Sequence, residues 1–157
     1  MNGTTALSRA FAHNAWANGL LFDGLRRAPA DFLDREARPG GGTNREKLRH
    51  LALVERGFHD AIRRSTSIPE APSGLEDVIA YCEETAAAFG GLLSGPVDVE
   101  EEVHIPWWER NFTIGDCLAQ VLSHSGQHRA ELAWELASSG IDTGEMDYIV
   151  WFARQHG

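Results

Sequence analysis

TIGDCLAQVLSHSGQHRAELAWELASSG, residues 113–140, carries a helical period from end to end. Successive residues of an α-helix advance by about 100°. With Leu118 as the centre, Leu122, Ser125, Leu132 and Leu136 fall within about 40° of it and make one apolar stripe. Thr113, with Asp116 three residues on, reads as a capping box with Asp in place of Glu or Gln. Gly140 is a stop signal, so the helix is expected to run to about Ser139. His124 and His128 lie on one flank, roughly 80–120° from the centre. They are one turn apart, about 6 Å along the axis, and their rings can converge on one point. That geometry suits a transition metal. Arg129 falls near the middle of the apolar face, where an isolated charge is costly.

Three further segments have the same period. The first, about 5–27, places Leu7, Phe11, Asn14, Asn18, Phe22 and Leu25 on one stripe, with His13, Trp16 and Leu20 opposite. Pro39 and the glycines of "RPGGGT" exclude helix before Thr43 or Asn44, either of which can cap a second helix running to about Arg64. Leu48, Leu51, Phe58 and Ile62 form its stripe, with Glu55 near the middle. The third helix, about 75–94, follows the loop "STSIPEAPSG". Residues 97–112 break the period: Val97, Val99, Val103 and Ile105 partly alternate with polar residues, as in a short strand or hairpin. The tail "EMDYIVWFARQHG" holds a last short helix. The expected fold is all-α, a four-helix bundle with a short non-helical or β-hairpin insertion between helices 3 and 4. A less regular orthogonal array is the alternative. Residues 1–157 are expected to form one domain.

Composition narrows the function. The net charge of −9 argues against a phosphate-binding surface, so no nucleic acid is expected. No apolar run approaches the ~20 residues of a membrane span, and no membrane partner is expected. The first residues lack a charged head followed by an apolar core, so a cytoplasmic location is the default. Cys82 and Cys117 are far apart, in no metal or redox spacing, and both fall on apolar faces; they read as buried free thiols.

Two imidazoles seldom make a specific metal site, so a third ligand is sought on another helix. His50 lies on a flank of the second helix, where Gly57 and Ala61 leave space, whereas His59 points elsewhere. Cys117 shares the flank of His124 but lies about 10 Å along the axis from the pair, too far for one ion. The constellation is therefore His50, His124 and His128. Three neutral imidazoles leave a coordination position open, as catalytic sites do. The plainer alternative is that flank histidines are only hydrogen-bonded side chains. Arg129 and Glu55, both on apolar faces, are expected to pair or to bond the amides of Asn14 and Asn18, and either can act as a positioner behind the ligands. Trp107, Trp108 and Trp151 line the pocket or, as large aromatics more often do, fill the core. No catalytic acid, base or nucleophile is assigned.

"HNAWANGLLFDGL", "REKLRHLALVERGFHDAI", "VLSHSGQHRAEL" and "MDYIVWFA", in this order along the chain, resemble the DinB/YfiT-like superfamily. H-x3-H-R is the most specific of these elements. The resemblance implies a four-helix bundle, often a homodimer, with one divalent metal ion held by His50, His124 and His128. Zinc and nickel are the metals it suggests; imidazole alone suits copper and iron as well. One departure is His13, where such proteins often have Tyr. Branches of the superfamily include thiol-dependent S-transferases and isomerases. The implied activity is a metal-dependent transferase passing a low-molecular-weight thiol to an electrophilic small molecule. A metal-dependent hydrolase is a second possibility. A non-enzymatic, metal-binding stress-response module is a third; it would close its metal shell with a fourth ligand, for which Glu131 and Glu135 are the candidates. A bundle without metal is the last.

Overall fold

Thr43 and Thr113 each start a helix with a reciprocal capping box. The Thr43 hydroxyl accepts from the amide of Glu46 at 3.2 Å, and the Glu46 carboxylate accepts from the amide of Thr43 at 2.7 Å. Thr113 and Asp116 repeat the arrangement at 3.0 and 3.3 Å, so Asp serves where Glu is usual. Two otherwise orphaned amides are satisfied at each end. The structure, a computed structural model, describes residues 3–38 and 40–156. Pro39, read from the sequence as a helix breaker, lies outside the described residues. Gly40, Gly41 and Gly42 beside it all have positive φ, of 102°, 73° and 75°, which no side-chain-bearing residue adopts readily.

The chain is mostly helical. The helices are α1 (Gly3–Arg26), α2 (Asn44–Ile62), α3 (Leu75–Ser94), α4 (Ile114–Ser138) and α5 (Tyr148–His156). Between α3 and α4 stand the strands β1 (Glu102–Ile105) and β2 (Arg110–Thr113). They are antiparallel, with Val103 opposite Phe112 and Ile105 opposite Arg110. Val103 and Ile105 are buried while Glu102 and His104 face out, the period-2 alternation of a half-covered strand. The alternation expected from Val97 begins only at Glu102. The carbonyls of Val99 and Glu101 instead accept the first amides of α4, from Gly115 and Ile114. Helix α2 ends at Ile62, short of Arg64, which is left-handed at φ 57°.

Each long helix packs on two others: α1 on α3 and α4, and α2 on the same pair. The core between them is in two parts. One gathers Leu21, Phe22, Leu48, Leu51, Val78 and Leu132 with their neighbours. The other gathers Phe11, Phe58, Phe89, Leu93, Leu118 and Val121 with theirs. Every long helix contributes to both and carries polar residues between its two contributions: Asn14 and Asn18, Glu55, Thr85, and Ser125 with Arg129, all buried. The order along each helix also gives its direction. Helices α1 and α4 pass from the Phe11 core to the Leu21 core; α2 and α3 pass the opposite way. Because α2 and α3 run alike, the connection 63–74 must travel back along the molecule. Arg49 and Arg45 of α2 tether its far end by donating to the carbonyls of Ala71 and Ser73. Among the described residues, no helix is long and apolar enough to cross a membrane.

Candidate metal centre

His50 leaves the exposed flank of α2, and His124 and His128 leave α4 one turn apart. One ring nitrogen from each lies within 4.8 Å of those of the other two. Nε2 of His50 and Nε2 of His124 are 3.0 Å apart. Two nitrogens on one tetrahedral ion, bonded at about 2.0–2.1 Å, would stand about 3.3 Å apart, so the His50–His124 pair already has nearly the spacing of two ligands of one transition ion. The three rings meet edge to face, with centroids 4.4–5.1 Å apart.

Protonation favours the same arrangement. Burial, helped by the neighbouring His128 and His50, pushes His124 down to about 4. Burial and His128 lower His50 as well. These imidazoles are therefore neutral near pH 7, the form in which histidine binds metal. His128 is oriented by Glu131, whose Oε2 lies 2.8 Å from His128 Nδ1. A carboxylate only accepts, so Nδ1 carries the proton and Nε2 keeps its lone pair. Glu131 also accepts from Lys47 at 2.8 Å and from Gln127 at 3.1 Å. Burial works to raise its carboxyl, but the bonds from Lys47, Gln127 and His128 outweigh this and hold it at about 2.

Glu131 is thus engaged by His128, Lys47 and Gln127 and does not join the cluster of three histidines. Glu135, the other candidate, accepts from the amide of Arg38. Among the described residues, no other histidine, cysteine, aspartate or glutamate joins the cluster. A cleft of about 370 Å³ opens beside it, walled by Lys47, Gln127 and Glu131 and by the backbone at Gly40 and Gly41. The sequence alone did not mark Lys47 or Gln127. Their spacing was the available signal: Lys47 is three residues before His50, and Gln127 stands four before Glu131.

Glu55 and Arg129 are both buried, and the amides bridge them. Asn14 and Asn18 donate to Glu55 Oε1 at 2.9 and 3.1 Å and accept from Arg129 at 2.7 and 2.8 Å. Ser125 donates to the same Glu55 oxygen at 2.6 Å. Of the two expected arrangements, bonding through the amides is the one found. Trp151 is buried in a different place, against His13 and Tyr148. His13 Nε2 donates to the Met146 carbonyl at 2.7 Å and so helps seat the segment before α5. His104 pairs with Asn111 across the hairpin, and His59 packs on Phe89. Trp107 and Trp108 are 50 and 58 % exposed, contrary to the core placement usual for large aromatics. The turn at the tip of the hairpin carries them out of the core. The space expected at Gly57 is filled by the Trp107 indole. Both cysteines are buried and unpaired, and burial raises both thiols, Cys117 to about 11.

A search of curated proteins found no match. The family model of the DinB superfamily matches residues 13–132, well over half of the chain, from His13 in α1 through all three clustered histidines to Leu132 in α4. The chain belongs to the DinB superfamily.

Proposed function

We propose that this protein is a four-helix-bundle metalloenzyme in which His50, His124 and His128 hold one divalent ion, zinc or nickel. Its reaction would pass a low-molecular-weight thiol to an electrophilic small molecule. One observation carries the reading: three ring nitrogens converge, and the nearest carboxylate is spent on orienting one of them. Such a donor set leaves a coordination position open, where a structural site would be closed. An ion so held supplies the electrostatic pull that strips a thiol of its proton at neutral pH. The chain does the rest. Glu131 fixes the His128 tautomer, and Lys47 and Gln127 give the cleft a polar wall suited to a hydrophilic thiol. The sulfur–carbon bond forms as the leaving group departs with its electron pair, the thiol proton having passed to solvent.

Thiol transfer is favoured over hydrolysis because a thiol starts from a far lower pKa than water and reaches its anion on the ion unaided, while attack by water gains most from a base free to take its proton. Both Glu131 oxygens are already engaged. The proposal includes a homodimer, as the superfamily resemblance implies, and a cytoplasmic location; light scattering of the purified chain checks the dimer. Metal content is measured first, on protein purified without a histidine tag. Metal-loaded protein is then assayed with an electrophile and a panel of small thiols. Turnover that is lost in His50→Ala supports the reading. A metal-loaded protein that neither binds nor turns over any thiol sinks the transferase.

A further inference from the structure

His50 borders a second hollow, of about 270 Å³, whose chemistry differs from that of the polar cleft. Its floor is the face of α2 from His50 through Val54 to Gly57. His50 and Gly57 are seven residues apart, nearly in line and about 10 Å apart along the axis. One wall is Ile68 and Pro69, brought there by the connection that returns along α2. The other is Trp107 from the hairpin tip.

Trp107 is half-exposed yet held. Its indole lies over Gly57, where a Cβ would sit only 3.2 Å from the ring. It meets Phe58 edge to face, with centroids 5.3 Å apart and planes at 87°. Ile68 is 90 % exposed. A single exposed apolar residue needs no explanation. Here two of them, from separate segments, flank a trough that ends on a clustered histidine. The volume is below the ~300–1,000 Å³ of drug-sized sites, enough for one ring or a short alkyl chain and too small for a helix.

We propose that this trough receives the apolar group of the electrophile, with Trp107 as the specificity-determining contact. The thiol's hydrophilic part then occupies the cleft at Lys47 and Gln127, and the two meet at the histidines. The inference rests on the metal-site reading above and names the substrate class for it: a small electrophile bearing an aromatic ring or short hydrocarbon arm.

The test uses cobalt-loaded protein and two thiols as probes, 2-mercaptoethanol and 2-phenylethanethiol: anchored at the ion by sulfur, each can turn its arm to either hollow, and the phenyl arm stands in for the apolar group of the electrophile. Binding is read from the sulfur-to-cobalt charge-transfer band. The phenyl thiol is expected to bind about tenfold or more tighter, from burial of its ring. Trp107→Ala should bring the two within about threefold. Ile68→Ser, on the opposite wall, should act in the same direction. Equal affinities in the wild type, or a preference that survives both substitutions, overturn the trough and leave the metal site standing. A protein that takes up no cobalt overturns both.

Discussion

Glu131 accepts on both of its oxygens, from Gln127 on one and from Lys47 and His128 on the other. The proton this fixes on His128 Nδ1 decides which way the lone pair points, and the nearby negative charge strengthens the donor. Glu131→Gln keeps the shape and removes the charge. Metal affinity should then fall about 10–100-fold, measured by competition with a chromophoric chelator. An unchanged affinity would mean that packing alone orients the ring. His124, with His50 lowered beside it, contributes to the acid response of the metal-free protein. In the unfolded chain its imidazole takes a proton below its ordinary value of 6.5; in the folded chain burial defers this to about 4. Between those values the unfolded state binds more protons, so stability falls as pH drops from 6.5 toward 4. Glu131 adds a lower window, losing its contribution as pH falls from 4.5 toward 2. Urea midpoints at two pH values, one above and one inside the first window, should draw together in His124→Asn relative to the wild type. If the variant keeps the full difference, the acid sensitivity arises elsewhere.

Within the helices, the buried polar layer is what sets these four apart from simple amphipathic ones. Glu55 on α2 and Arg129 on α4 are joined through two amides on α1, so three helices are locked at one height and in one rotation. Glu55→Leu would leave the Arg129 charge buried without its counter-charge, at a cost of about 3–5 kcal/mol in urea unfolding. A loss below about 1 kcal/mol would show that water or another group takes over. These features were legible in the sequence because they follow the helical period. A charge on an apolar stripe, two asparagines on another and a histidine pair one turn apart are all local patterns. The two threonine caps were legible for the same reason. The start of β1 was not, because Val97 and Val99 alternate like strand residues while Val99 supplies its carbonyl to α4. Trp107 was not, because its position depends on a gap at Gly57, fifty residues away in the chain. The true part played by Glu131 was hidden for a related reason. Helical spacing places a carboxylate near His128 but does not say that Lys47, from α2, will claim it.

Across the molecule, the alternation of the two cores along each helix fixes the helix directions, and those directions place the histidine cluster. Helices α2 and α4 run in opposite senses, and the three histidines bridge them, His124 and His128 from between the two core contributions of α4 and His50 from beside Leu48 and Leu51 on α2. An ion bound there ties α2 to α4 in the folded state only, because the unfolded chain separates His50 from His124 by a long, flexible segment. Binding must therefore stabilise the fold, by about 4 kcal/mol when free ion is a thousandfold above its dissociation constant. For a chain of this size that is a rise in Tm of about 8–16 °C. Thermal unfolding with zinc, and again with a chelator in excess, should show this difference in the wild type. His50→Ala is the informative variant, because His50 is exposed and its loss removes a ligand without opening the core. Its Tm in chelator should stay within a few degrees of the wild type. Its rise with zinc should largely vanish, since two imidazoles on α4 alone no longer bridge the helices. A variant that keeps the full rise would place the ion away from α2 and break the link between fold direction and site.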